Sequence, residues 1–194
     1  MQIGIAYTYR LKAERPAPFL DSGGKSSVFH NSRCLILHKP DDNRTDLSLA
    51  DETATADFAA RLAPCMKPGM VVYLHGDLGA GKTTLVRALL HALGHAGRVK
   101  SPTYTLLEQY EAGGLHLRHF DLYRFRDEEE WEATGFRDEF DGHNVCLVEW
   151  PEKAQGLIPQ ADVDIFFEIL PMGRNLIIRA NTETGQECIS ALQS

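Results

Sequence analysis

The sequence predicts an α/β fold: a central, mostly parallel sheet between helical layers, with added antiparallel strands and a C-terminal hairpin. Three observations predict it. Short apolar runs at 70–74 (MVVYL) and 145–148 (VCLV) have the length and composition of strands buried on both faces. Two further pairs of strand candidates are each joined by a short turn containing glycine, the signature of antiparallel hairpins. The third observation is the stretch 75–90, HGDLGAGKTTLVRALL, which joins the first apolar run to a helix through the spacing G-x-x-x-x-G-K-T. That spacing is the phosphate-cradling loop of the P-loop NTPases, so the predicted architecture is a P-loop NTPase-like three-layer sandwich.

Residues 1–44 carry the breakers RPAP (15–18) and DSGG (21–24), and their only strong apolar segment is Cys34–Leu37. They are expected to be a poorly ordered extension, or translated sequence ahead of the true start. SGGKSS (22–27) contains a GKS, but Phe19 stands where a phosphate loop needs its first glycine. From 45 to 194 the pattern is that of a single domain. Ala54–Ala63 is helical, with Phe58, Ala59 and Leu62 on one face and Asp51 or Thr53 as cap. The helix opened by the loop runs from Lys82 to about Leu93 and ends at Gly94. Thr103–Tyr110 and Leu115–Tyr123 form the first predicted hairpin around Ala112-Gly113-Gly114. Asp127–Thr134 is a short acidic helix anchored by Trp131. Val163–Leu170 and Asn175–Ala180 flank the turn PMGR as a terminal hairpin.

Composition excludes several function classes. No apolar run approaches the roughly 18–20 residues of a membrane span, and the N-terminus lacks a secretory h-region, so a soluble, cytoplasmic protein is expected. Cys34, Cys65, Cys146 and Cys188 contain no C-x-x-C pair and indicate neither a disulfide framework nor a zinc site. The net charge of −7 divides into +3 over residues 1–44 and −10 over the remainder. So acidic a body repels a phosphate backbone, which argues against DNA or broad nucleic-acid binding and leaves room only for a local basic patch.

The loop has a physical logic. Glycines at 76, 79 and 81 let the amides between Gly76 and Gly81, those of Asp77, Leu78 and Ala80 included, ring the phosphates at the positive end of the following helix. Lys82 places an ammonium between the β- and γ-phosphates, the Thr83 hydroxyl coordinates Mg²⁺, and Thr84 reaches the α-phosphate side. Such a site also needs a carboxylate at the end of a neighbouring buried strand, to hold Mg²⁺ or its water. Glu149, directly after VCLV, is the candidate; a plain surface glutamate is the alternative. Asp121 in HFDLYR shares a strand face with Leu117 and His119, while Phe120 and Leu122 take the other. It could orient the attacking water or a Mg²⁺-bound water, or pair with Arg124. Ser101 and Thr103 in SPTYT supply hydroxyls either to a γ-phosphate-sensing segment or to a simple turn. His75, His116 and His119 lack the spacing of a helical metal pair.

Taken together, GDLGAGKTTLVRALLHALG, VKSPTYTLLEQY, HFDLYRF, GFRDEF and LVEWPEK, in this order, resemble the TsaE (YjeE) family, the small ATPases of bacterial tRNA threonylcarbamoyladenosine synthesis. The resemblance spans about residues 47–180. It implies ATP as the nucleotide, Thr83 and Glu149 on Mg²⁺, Lys82 and Asp121 in catalysis, and a switch-like role for Ser101–Thr103. LADETAT (49–55) resembles the family's opening segment, which makes Glu52 and Thr53 candidate contacts to the adenine or ribose. Trp150 matches a family position beside the Mg²⁺ ligand, but strand alternation points it away from Glu149, towards packing or a partner. The implied partners are TsaB and TsaD, the transferase pair that modifies position 37 of tRNA, with tRNA contacted mainly through them. The implied job is to reset or license that complex by slow, partner-governed ATP hydrolysis.

Three other readings compete. A small-molecule or nucleotide kinase needs an acceptor pocket and usually an arginine-rich lid, whereas Arg118, Arg124, Arg126 and Arg137 are scattered. A GTP switch lacks an N-K-x-D motif after Lys82. A nucleotide-gated binding module would use the same loop with incidental hydrolysis.

Overall fold

The computed structural model describes residues 34–36 and 43–193. Eight strands form one sheet: β1 (Cys34–Ile36), β2 (Arg44–Leu49), β3 (Val71–His75), β4 (Leu107–Ala112), β5 (Leu115–Asp121), β6 (Val145–Glu149), β7 (Val163–Ile169) and β8 (Arg174–Ala180). Their spatial order is β1-β2-β8-β7-β3-β6-β5-β4. The four central strands β7, β3, β6 and β5 run parallel, and antiparallel pairs extend the sheet on both sides. This is the predicted α/β sandwich with its hairpins. The expectation for residues 1–44 lies largely outside the described residues; within them, Cys34–Ile36 pair with β2 and Arg44 opens it.

The strand alternation divides the core in two. Val72, Leu74, Val145, Leu147 and Leu117 face one layer, formed by helices α1 (Glu52–Leu62), α2 (Lys82–Ala92) and α4 (Glu183–Gln193). Val71, Cys146, Val148, Phe120 and Leu122 face the other, built around α3 (Glu128–Thr134). Asp51 begins α1 by accepting the Ala54 N–H at 2.9 Å, and the helix buries Phe58, Ala59 and Leu62. Asp127 caps α3 in the same way, and Gly135, at φ 68°, ends it. Trp131 of α3 is fully buried against Phe125, Phe136 and Phe140. Truncating an aromatic so placed typically costs about 3–5 kcal/mol.

Three elements differ from the sequence expectation. The first hairpin strand begins at Leu107, because residues 103–106 form a turn in which Leu106 takes a left-handed φ of 61° and donates its N–H to Pro102 O. β2 is a strand through its alternation Thr45, Leu47, Leu49, each buried. α4 presents only Cys188, Ile189 and Leu192 as large buried residues, so its apolar stripe is narrow. No helix among the described residues is long and apolar enough to cross a membrane.

Candidate nucleotide-binding site

All parts of the site gather at the C-terminal ends of the parallel strands, where α/β sheets place their ligands. β3 runs into the glycine loop and the loop into α2. Gly76 has φ 141°, and a Cβ there would lie 2.9 Å from Phe167 O; Gly81 has φ 106°. No other residue takes these conformations without strain and collision. No side chain caps the N-terminus of α2, which leaves that end of the helix open to a ligand, and within the loop the Ala80 N–H donates to Asp77 O at 3.1 Å.

Lys82 is 4% exposed. Its ammonium donates to the carbonyls of Gly76 (2.5 Å) and Asp77 (3.0 Å), which hold it across the loop. Burial pushes its pKa below the ordinary lysine value, and the nearby Glu149 and Asp121 oppose that shift. The indole of Trp150 covers the ammonium at 4.0 Å from the ring centroid, a cation–π contact. This corrects the expectation from strand alternation: β6 ends at Glu149, and Trp150 turns left-handed (φ 60°), which brings its ring over Lys82 and 5.0 Å from that of Tyr123.

Two buried carboxylates stand opposite the loop. Asp121 and Glu149 are register partners on β5 and β6, and both are buried. The Thr83 hydroxyl donates to Glu149 Oε1 at 2.8 Å, and His119 Nε2 lies 2.9 Å from the same oxygen. The Thr103 hydroxyl donates to Asp121 Oδ2 at 2.7 Å, the Tyr123 amide donates to Asp121 Oδ1 at 3.1 Å, and Ser101 Oγ is 2.8 Å from Thr103 Oγ1. Among the described residues no ion pair joins Asp121 to Arg124, whose guanidinium instead lies 4.4 Å from the centre of the Tyr104 ring.

These groups enclose a cleft of about 210 Å³. Leu78, Gly79, Ala80, Gly81, Lys82, Thr83, Thr84, Ser101, Thr103, Asp121 and Glu149 line it, together with Tyr123 and Trp150. Gly76 and Asp77 lie beneath, as the carbonyl partners of Lys82. Glu52 and Thr53 are exposed in the first turn of α1 and do not line this cleft. A residue not singled out in the sequence does reach the loop: Arg174, the register partner of Leu49, donates from Nη1 to Ala80 O at 3.1 Å, and that Nη1 lies 1.6 Å from where a Gly81 Cβ would be. No local spacing announces Arg174, since it arrives from a distant strand. His119 did carry a signal: the alternation that faces Asp121 inward faces His119 inward too. Of the other histidines, His75 lies 2.7 Å from Asp164 and stacks on Phe166, and His116 is exposed beside Glu111.

The donor set fits a magnesium nucleotide. Gly76 and Gly81, where a Cβ would collide, frame the cradle, a lysine crosses it, and a hydroxyl and a carboxylate present only oxygen to a cation, as hard Mg²⁺ requires. The family model for the threonylcarbamoyl adenosine biosynthesis protein TsaE matches residues 49–175. The tRNA threonylcarbamoyladenosine biosynthesis protein TsaE of Haemophilus influenzae is 44% identical over 151 residues, 75% of this chain and 96% of its own. That of Bacillus subtilis is 42% identical over 111 residues, 57% of this chain and 69% of its own. In three dimensions the chain is similar to the crystal structure of Bacillus subtilis YdiB, with a TM-score of 0.62 and 28% identity over 77% of this chain and 94% of that one.

Proposed function

The chain belongs to the TsaE family of threonylcarbamoyl adenosine biosynthesis proteins, and from that premise we propose that it is a Mg²⁺-dependent ATPase serving tRNA N6-threonylcarbamoyladenosine formation at position 37. Residues 45–194 are its ATPase domain, and its place of action is the cytoplasm. The observation that carries the reading is the meeting of the Lys82–Thr83 loop with Glu149 and Asp121 at the ends of adjacent parallel strands.

Each residue has a task. The loop amides and Lys82 bind the phosphates, and the carbonyls that now hold Lys82 give way to phosphate oxygens as stronger partners for its charge. Thr83 and Glu149 hold Mg²⁺ or its water; when bound, the ion neutralises charge building on the phosphates. Asp121, held on both oxygens by Thr103 and Tyr123, orients the attacking water. Ser101 and Thr103 lie between that carboxylate and solvent, where the γ-phosphate state decides their hydrogen bonds. Trp150 shields Lys82 from water, Arg174 braces the loop at Ala80 O, and Glu52 and Thr53 serve the adenosine end.

The protein does not transfer the threonylcarbamoyl group. Its hydrolysis resets a TsaB–TsaD type transferase complex between turnovers, which itself holds most of the tRNA. Reconstituted modification with and without this chain tests the reading. We expect repeated turnover only with the chain and ATP, and none beyond the first cycle with Glu149→Ala. Full turnover with Glu149→Ala would reduce the chain to a nucleotide-gated binding module, and stoichiometric phosphorylation of an added acceptor would make it a kinase.

A further inference from the structure

A second cleft, of about 640 Å³, opens beside the first and shares Ser101 with it. Arg87 and His91 reach it from the exposed side of α2, and Arg98 and Lys100 from the segment that follows. None of Arg87, Arg98 and Lys100 forms an ion pair among the described residues. The surrounding sequence is unusual for this chain. Asp and Glu number 27 in 194 residues, yet none occurs between Asp77 and Glu108. The basic cleft is thus built from an acid-free stretch of an otherwise acidic chain, and Glu108, the next acid along it, is near enough to act on Tyr110 together with Arg87.

The same segment carries an aromatic platform. Tyr104 is 82% exposed, and the Arg124 guanidinium stacks on one side of its ring. A large aromatic so exposed has no packing role in the domain. The loop beneath is firmly placed: Tyr110 OH accepts the Lys100 N–H at 3.1 Å, His95 packs edge-on against the Tyr110 ring, and Pro102 follows Ser101. A basic groove beside an exposed aromatic is the combination that holds single-stranded nucleic acid. An acidic peptide would account for the cations but leave Tyr104 without a purpose.

We propose that this cleft and the Tyr104–Arg124 stack form a direct contact site for a single-stranded segment of RNA, with phosphates on Arg87, Arg98 and Lys100 and a base on Tyr104. The choice of RNA as the polyanion rests on the tRNA-modification reading. Because Ser101 borders both clefts and Thr103 bonds Asp121, the strand lies next to the groups that face the γ-phosphate. RNA occupancy and nucleotide state then influence one another reciprocally.

Fluorescence anisotropy with the full chain and an unmodified tRNA transcript, over a salt series beginning at low ionic strength, tests this. Three phosphate contacts predict that log K falls against log salt with a slope of about −2. Arg98→Glu with Lys100→Glu should weaken RNA binding by more than about tenfold and flatten that slope, and Tyr104→Ala should weaken it by roughly five- to 100-fold. Binding of a non-hydrolysable ATP analogue should be unchanged in both variants, which verifies that they are folded. Equal RNA affinity in variant and parent, or no binding by the parent at low salt, overturns the site. So does loss of transferase binding with RNA affinity intact, which would assign the cleft to an acidic protein surface. Modification that proceeds fully without the chain would sink the functional reading and leave the binding result standing.

Discussion

The Thr83 hydroxyl donates to Glu149 Oε1 at 2.8 Å, which ties the first turn of α2 to the end of a strand 66 residues away. The carboxylate thereby serves two groups at once, the half-buried Thr83 and the fully buried His119, whose Nε2 reaches the same oxygen. Glu149→Ala strands His119 Nε2, and an unsatisfied buried polar group costs about 1–3 kcal/mol. We expect this variant to lose hydrolysis by on the order of 100-fold and to melt at a lower temperature. Glu149→Gln keeps an oxygen for Thr83 and should recover the melting temperature without recovering hydrolysis. Steady-state phosphate release and thermal denaturation on the same samples separate the two effects; recovery of both by Gln would contradict the charge-based role.

Thr103 holds Asp121 in place by a bond to a charged acceptor, a type worth about 1.5–3 kcal/mol. Thr103→Val should therefore lower kcat by roughly tenfold or more while leaving KM for ATP nearly unchanged, because the loop and Lys82 are untouched. Asp121→Asn should lower kcat further. A rise in KM with kcat preserved would place Thr103 in binding instead.

The chain has two tryptophans in opposite settings: Trp131 is fully buried in the core, and Trp150 lines the cleft against Lys82. Nucleotide binding draws Lys82 onto phosphate and changes the surroundings of the Trp150 indole alone. An emission change on adding ATP should persist in Trp131→Phe and vanish in Trp150→Phe. Its persistence in Trp150→Phe would show that the signal comes from Trp131 and not from the ring over Lys82.

Asp141 sits in the turn that feeds β6. Its carboxylate accepts the Asn144 and His143 N–H groups, both at 2.8 Å, and these bonds, that from Asn144 foremost, hold its pKa below the ordinary carboxylate value. A depressed carboxylate contributes stability that is fully present above its unfolded pKa and lost as pH falls through its folded pKa. Asp141→Ala should lower the melting temperature at pH 7, and the gap should close as the solution is acidified below the carboxylate range. A gap that stays constant with pH would point to turn geometry alone.

How much the sequence discloses depends on the range of the interaction. The glycine loop is contiguous, its spacing is fixed by phosphate geometry, and an apolar run before it names its strand. Asp121 and Glu149 are visible because each ends a short apolar or alternating run. The hidden features are those made by tertiary contact or by a single dihedral. Arg174 belongs to the loop only because β8 pairs with β2 and brings its guanidinium to Ala80. Trp150 turns inward through one left-handed residue, which period-two counting cannot anticipate. The helix α4 hides because its core face is narrow and its remaining residues are polar.

Asp121 and Glu149 are Cα partners in neighbouring parallel strands, and Glu149 is in turn the partner of Leu74, just before the loop. A slip of one residue in either pairing would turn a carboxylate into the apolar layer and bring Val148 or Phe120 to the phosphates. The site can therefore be completed in one alignment of β3, β5 and β6 and in no other. Sheet register thus acts as the gauge of the site: the two carboxylates meet the loop only in a correctly threaded molecule.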